Sequence, residues 1–135
     1  MNFLQIEDLC VHFPVRGGVF RKAIGACKAV DGVSFTLSKG RTLGLVGESG
    51  CGKSTLAKSI VQLVRPTAGS IHFKGHLLDP KKEAYDYRKS VQMVFQDPAE
   101  SLNSRMTVGA IVQEPLDIHE IGEKKSRLHR VKQLL

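Results

Sequence analysis

The 135-residue chain contains no apolar run approaching the ~18 residues that a membrane-spanning helix needs, so a spanning segment is excluded by length alone. A secretory leader is not expected, on charge. The opening MNFLQIEDL is acidic where such a leader is basic, and no long apolar region follows it. Together these absences predict a cytoplasmic protein. Aromatic residues are only 6% of the chain and are not interleaved with the basic ones, so no base-stacking platform is visible. The net charge of +7 therefore does not predict a nucleic-acid partner. Its densest run, Lys124, Lys125, Arg127, Arg130 and Lys132, reads as a solvated helix face. The excess positive charge also suits work beside an anionic inner leaflet. Cysteine is scarce and scattered: Cys10, Cys27 and Cys51 form no C-x-x-C pair and no Cys/His ligand spacing. Cys10 and Cys27 are read as small packing residues. There are no internal repeats and no low-complexity tract, and the length suits one domain.

What is present is a phosphate-binding pattern. Gly47-Glu48-Ser49-Gly50-Cys51-Gly52-Lys53-Ser54-Thr55 fits G-x-x-x-x-G-K-[ST], the Walker A loop. The four fixed positions arise by chance in roughly one chain of this length in two hundred. Context lowers that chance further. Thr42 to Val46 is a mostly apolar run that reads as a buried parallel strand. Leu56, Ile60, Leu63 and Val64 follow at helical spacing. A triphosphate concentrates negative charge, and the pattern answers it with backbone N–H groups, a helix N-terminus and one ammonium. Gly47, Gly50 and Gly52 let the backbone approach the phosphates. Lys53 is expected at the β- and γ-phosphates, the Ser54 hydroxyl on Mg²⁺, and Thr55 at the helix start near the α-phosphate. The Cys51 thiol, beside Lys53 and a helix N-terminus, is a candidate for alkylation that blocks nucleotide binding.

Along the rest of the chain, Phe3 to Phe13 predicts a strand. Pro14 to Ala26 predicts a loop, punctuated by Pro14, Gly17-Gly18 and Gly25. Val33, Phe35 and Leu37 at period two predict a half-buried strand over Lys28 to Leu37. The helix after the phosphate loop should end near Arg65-Pro66. A short strand follows at Ser70 to Phe73, a polar helix at Lys82 to Lys89, and a second buried strand at Ser90 to Phe95. Gln96 to Arg105 is a polar loop. Val108 to Glu114 predicts a helix stopped by Pro115, and Lys124 to Leu135 a last helix with Leu128, Val131, Leu134 and Leu135 on one face. The fold class is α/β, a P-loop nucleotide-binding fold with an antiparallel β annex.

Two segments narrow the choice among P-loop proteins. One is Lys28-Ala29-Val30-Asp31-Gly32-Val33-Ser34-Phe35, followed by Gly44 through Leu56. The other is Val91-Gln92-Met93-Val94-Phe95-Gln96-Asp97-Pro98, then Ser101-Leu102-Asn103, Arg105-Met106-Thr107-Val108-Gly109 and Glu114-Pro115-Leu116. Together they resemble the ATP-binding subunit of ABC importers for dipeptides and oligopeptides, over almost the whole chain. The resemblance implies ATP and Mg²⁺ as ligands. It implies that Phe13 stacks on adenine, and that Gln96 is the Q-loop glutamine, meeting Mg²⁺ and the attacking water. It further implies membrane permease subunits docking on the Gln96–Thr107 loop, a second ATP-binding subunit, and indirectly a periplasmic or lipoprotein substrate-binding protein. The protein would then sit peripherally on the cytoplasmic face of the inner membrane.

The pattern departs from the family in places. Ser104 stands where proline usually follows Ser-Leu-Asn. The LSGGQ signature, the Walker B Asp-Glu pair and the switch histidine do not occur in these residues. The expectation is therefore that residues 1–135 are the N-terminal portion of one ATP-binding domain, truncated after the Q-loop region. Such a chain binds ATP and is not expected to hydrolyse it unaided. The rival readings are a non-catalytic fragment docking on a permease and a small P-loop kinase or GTPase; the second leaves Val94-Phe95-Gln96-Asp97-Pro98 unexplained.

Overall fold

A computed structural model describes residues 2–17, 22–79, 84–97 and 102–135. The chain divides into two compact units, Met1–Met93 and Val94–Leu135.

The first unit is built on a long antiparallel pair, β1 (Asn2–Gly17) and β2 (Lys22–Ser38), extended by β3 (Ala68–Phe73) and β4 (His76–Leu77) in the order β2-β1-β3-β4. Simple alternation would not give β1 one apolar face, because Leu4 and Ile6 are out of phase with Leu9 and Val11. A bulge repairs the phase. The register passes from Ile6 opposite Phe35 to Leu9 opposite Val33, leaving one extra residue on β1, and Asp8 takes a φ of 44°. A second bulge lies on β2, where Val30 and Val33 oppose Val11 and Leu9 and Gly32 has a φ of 70°. The two corrections let Ile6, Leu9, Val11, Val30 and Ile71 share one core with Leu56 of the following helix. Burying a side chain such as Leu9 contributes about 1.5–3 kcal/mol.

That helix, α1 (Lys53–Ile60), lays Leu56 and Ser59 inward. It stops well before Pro66, and the reason lies in its own hydrogen bonds. Gln62 turns left-handed (φ 59°), its N–H donates to Ser59 O, and the Leu63 N–H donates to Lys58 O. This closure normally uses glycine; here glutamine adopts it. The next helix, α2 (Ala84–Ser90), buries Tyr87, whose hydroxyl donates to Ile60 O at 2.8 Å. The Tyr87 ring meets Phe73 edge-on at 5.1 Å.

The second unit is a helical hairpin, α3 (Val108–Ile118) and α4 (Lys124–Leu134). Thr107 caps α3 by accepting from the Ala110 N–H at 3.2 Å. Arg127 of α4 bonds Asp117 at 2.8 Å and also donates to the carbonyls of Ile121 and Gly122.

Several expectations are corrected. The run Thr42 to Val46 is not a strand; every residue in it is exposed, Val46 to 93%. Nor do residues 91–95 form a strand: Ser90 ends α2, and Val94 is 91% exposed. Apolar composition favours a buried strand only when a neighbour supplies the other half of each hydrogen bond, and among the described residues neither run has one. The described sheet is accordingly antiparallel. Of the expected Pro14–Ala26 loop, residues 14–17 and 22–26 are strand, and residues 18–21 lie outside those described. Pro14 is tolerated because β3 pairs β1 only from Leu4 to Cys10, so one edge of β1 is open at Pro14. Pro115 does not end α3; the helix runs three residues further and closes on a left-handed Glu120 (φ 49°), with Ile121 N–H on Leu116 O. Only Val131 of the expected apolar face of α4 is buried. The helix at 82–89 begins within residues outside those described, and its described part is α2. No described helix is long and apolar enough to cross a membrane.

Candidate functional site

The glycine-rich loop leaves the exposed 42–46 run and turns tightly into α1. Gly50 and Gly52 have φ values of 79° and 97°, which side-chain-bearing residues rarely adopt. Gly52 is constrained twice, because a Cβ there would lie 2.0 Å from the Ala29 carbonyl oxygen of β2. The glycine lets the loop seat against the sheet. At Gly47 a Cβ would come within 2.8 Å of the Cys51 sulfur. The first α1 hydrogen bond runs from the Leu56 N–H to Gly52 O at 2.8 Å, and no side chain caps the helix. The N–H groups of its first turn therefore have no intrahelical acceptor and remain available to an anion.

Lys53 lies back across the loop. Its Nζ donates to Gly47 O at 2.8 Å, to Glu48 O, and lies 3.5 Å from Cys51 Sγ. The ammonium is thus held by the loop's own carbonyls. Beside it opens a hollow of about 310 Å³, lined by Gly50, Cys51, Gly52, Lys53, Ser54 and Thr55 from the loop and by Cys27, Lys28 and Ala29 from β2. Gly47 and Glu48 do not line the hollow but hold Lys53 through their carbonyls, and Ser49 is exposed in the turn. Phe13 is 44% exposed on β1, directly opposite Cys27 in the ladder. Gln96 is exposed and belongs to the 94–135 unit.

The motif alone did not reveal Cys27, Lys28 and Ala29 as lining residues. They lie more than twenty residues upstream and are brought in by pairing of β2 with β1. Sequence spacing also gave no sign of a second cluster, Cys10, His12 and Asp31, whose ligand-type atoms lie within 4.8 Å of one another. The Asp31 carboxyl is held below the ordinary carboxylate range, first by the Lys28 hydrogen bond and then by His12. Glu7, on β1, is lowered chiefly by the Ser70 hydroxyl, which donates to it at 3.0 Å.

A family model described as ABC transporter matches residues 30–135, a range that includes the hollow's loop and helices α1 to α4. The chain belongs to the ABC transporter family. Among curated ABC relatives, it is 47% identical to the oligopeptide transport ATP-binding protein AppF of Bacillus subtilis, over 99% of this chain and 42% of that protein. It is 50% identical to OppF of the same organism, over 99% of this chain and 43% of that one. The chain thus spans less than half the length of these relatives. Among solved structures, it superposes on an ATP-binding cassette in a dimeric post-hydrolysis state bound to ADP and Pi. The TM-score there is 0.72 at 22% identity, over 96% of this chain and 54% of that one. Clostridium perfringens CbiO1, part of an ABC transporter complex, gives 0.66 at 22% identity, over 96% of this chain and 47% of that one. These superpositions show the ABC cassette fold. The resemblance found in the motifs is borne out, and the kinase or GTPase reading is set aside.

Proposed function

We propose that the chain binds ATP with Mg²⁺ as part of the energy-coupling subunit of a peptide-class ABC importer. The observation that carries this is the Lys53 ammonium, tethered to Gly47 and Glu48 carbonyls over a glycine-shaped hollow at an uncapped helix N-terminus. The hollow suits a phosphate chain, because two lysines line it and its other lining residues are glycines or small residues. Lys53 meets the β- and γ-phosphates, the Ser54 hydroxyl holds Mg²⁺, and the loop N–H groups from Gly50 to Thr55 share the negative charge. Phe13, an exposed aromatic residue on β1, offers adenine a stacking face. Gln96 is the group that would complete the Mg²⁺ and water contacts. ATP supplies the free energy of phosphoryl transfer, and this chain's residues bind and orient it.

In this reading, residues 1–135 correspond to the N-terminal portion of one ATP-binding domain. Permease subunits dock on the Gln96–Thr107 loop, of which residues 98–101 lie outside those described. A second ATP-binding subunit and, indirectly, a substrate-binding protein complete the assembly on the inner face of the membrane. The relatives named for oligopeptide transport support the cargo class.

Calorimetric titration with Mg-ATP tests this. Lys53→Ala removes a charge-assisted contact worth about 1.5–3 kcal/mol and should weaken binding roughly ten- to hundredfold. Equal affinity in the two proteins defeats the assignment. Steady-state phosphate release by the 135 residues alone should match the blank.

A further inference from the structure

We propose that Cys10, His12 and Asp31 bind one borderline divalent transition-metal ion of the Zn²⁺ type. Its three ligands lie outside the phosphate loop, although Lys28 borders both sites, and the proposal stands whether or not nucleotide binds there.

Three observations converge. Cys10 and His12 are two residues apart on β1, so they share a face, and that face is the one opposite the buried Leu9 and Val11. Asp31 reaches the same face through the β2 bulge. Between the pairs Val11–Val30 and Leu9–Val33, the two residues Asp31 and Gly32 stand opposite Cys10 alone, and Gly32 takes the positive φ that permits it. The result is convergence: His12 Nε2 lies 3.0 Å and Cys10 Sγ 4.0 Å from the same carboxylate oxygen, Oδ1 of Asp31. Ligands at about 2.0–2.3 Å from a tetrahedral ion are separated by distances of this order.

The surroundings suit ligation. Lys28 Nζ bonds the other carboxylate oxygen, Oδ2, at 3.1 Å, which orients the carboxylate and leaves Oδ1 directed at the cluster. The Gly32 N–H donates to Cys10 Sγ at 3.2 Å, which fixes the position of the sulfur. A thiolate and a carboxylate balance a divalent charge. One thiolate, one imidazole and one carboxylate select Zn²⁺, Co²⁺ or Cu²⁺ over Mg²⁺ and Ca²⁺. Half of the Asp31 side chain faces solvent, so a fourth position is open to water. On binding, the Cys10 S–H bond breaks, an S–metal bond forms, and the proton passes to the buffer.

The test is titration of the Cys27→Ser/Cys51→Ser chain with CoCl₂, followed by equilibrium dialysis against ZnCl₂. Removing the other two thiols leaves Cys10 as the one source of a cobalt–thiolate charge-transfer band. The expected result is that band together with tetrahedral ligand-field absorption, displaced by about one equivalent of Zn²⁺. Adding Cys10→Ser should abolish the band, and His12→Gln should weaken binding at least about tenfold. If Cys10→Ser fails to fold by circular dichroism, His12→Gln alone decides the matter. No thiolate band, or Zn²⁺ retained with unchanged affinity in His12→Gln, overturns the proposal.

Discussion

The two units of this chain are held by different physics. In Met1–Met93, bulged strands and one helix bury a contiguous apolar cluster around Leu9 and Val11. In Val94–Leu135, Val131 is the one buried residue among those described, and order comes from caps and charge: Thr107 on α3, and Arg127 on Asp117 and the turn carbonyls. The first unit should therefore be the more sensitive to lost volume and backbone clashes, and the second should carry an acid-side pH dependence. The candidate phosphate hollow lies wholly in the unit with the core. Its precision is inherited from strand pairing between β1 and β2.

The sharpest way to break that inheritance is Gly52→Ala. The added methyl would meet the Ala29 carbonyl at 2.0 Å on a backbone at φ 97°, so the loop must leave its seat on β2. We expect a loss of about 3–5 kcal/mol in the first unit, together with loss of Mg-ATP binding. Gly50→Ala is the control: its φ is also positive, but nothing lies within 4 Å of the new Cβ. It should cost only about 1 kcal/mol. Thermal melts that rank the two alike would mean that the β2 contact does not position the loop.

Next in size is the core itself. Leu9→Ala should cost about 2–5 kcal/mol, and Val131→Ala about 1–2 kcal/mol. Amide hydrogen exchange separates the two effects: Leu9→Ala should lower protection across β1, β2 and α1, and Val131→Ala across α3 and α4. Loss of protection throughout the chain from either substitution would mean that the units unfold together.

This division also explains what was legible in the sequence. Local signals suffice where local forces decide. The helix that follows the glycine-rich loop, the Val33–Phe35–Leu37 alternation, the strand at 70–73 and the last helix all stand. The failures lie where a distant partner decides. Leu43, Leu45 and Val46 look like a buried strand but have no hydrogen-bonding neighbour among the described residues, and all are exposed. Gln62 and Glu120 close their helices in the left-handed conformation that sequence rules reserve for glycine. The site was half legible. Gly47 to Thr55 announce themselves by spacing, whereas Cys27 to Ala29 join the hollow only because β2 pairs with β1 in one register. The Cys10–His12–Asp31 convergence depends on a bulge that no spacing rule encodes.

A smaller effect probes the seam between sheet and helix in the first unit. Tyr87 is 3% exposed and donates to Ile60 O, and burial pushes its phenol up to about 12 from 10.0. A folded-state value above the unfolded one gives stability that is complete below pH 10 and lost as pH rises toward 12. Alkaline melts should therefore show a fall across that window. Tyr87→Phe should cost about 1 kcal/mol at neutral pH, through the lost hydrogen bond, while removing the alkaline fall. A fall that persists unchanged in Tyr87→Phe would point to another ionising group.

The smallest effect belongs to the second unit and has the opposite pH sign. Asp117 is held below its usual 3.8, first by the Arg127 hydrogen bond and then by Gln113. A depressed carboxylate contributes stability that is present above its unfolded value and lost as pH falls through its folded one. The turn at 119–123 should therefore hold at neutral pH and loosen below about pH 4. Because Arg127 is only 12% exposed and also serves the Ile121 and Gly122 carbonyls, protonating Asp117 weakens one arm of a fork without releasing the others. The loss should be small and confined to the α3–α4 junction. Amide exchange or chemical-shift titration of residues 117–127 between pH 6 and pH 2.5 (about the span needed) reads it directly. In Asp117→Asn the junction should be slightly looser at pH 6 and show no acid step. An acid step of undiminished size in that variant would mean that the hairpin is governed by apolar packing after all, and the contrast between the two units would lose its basis.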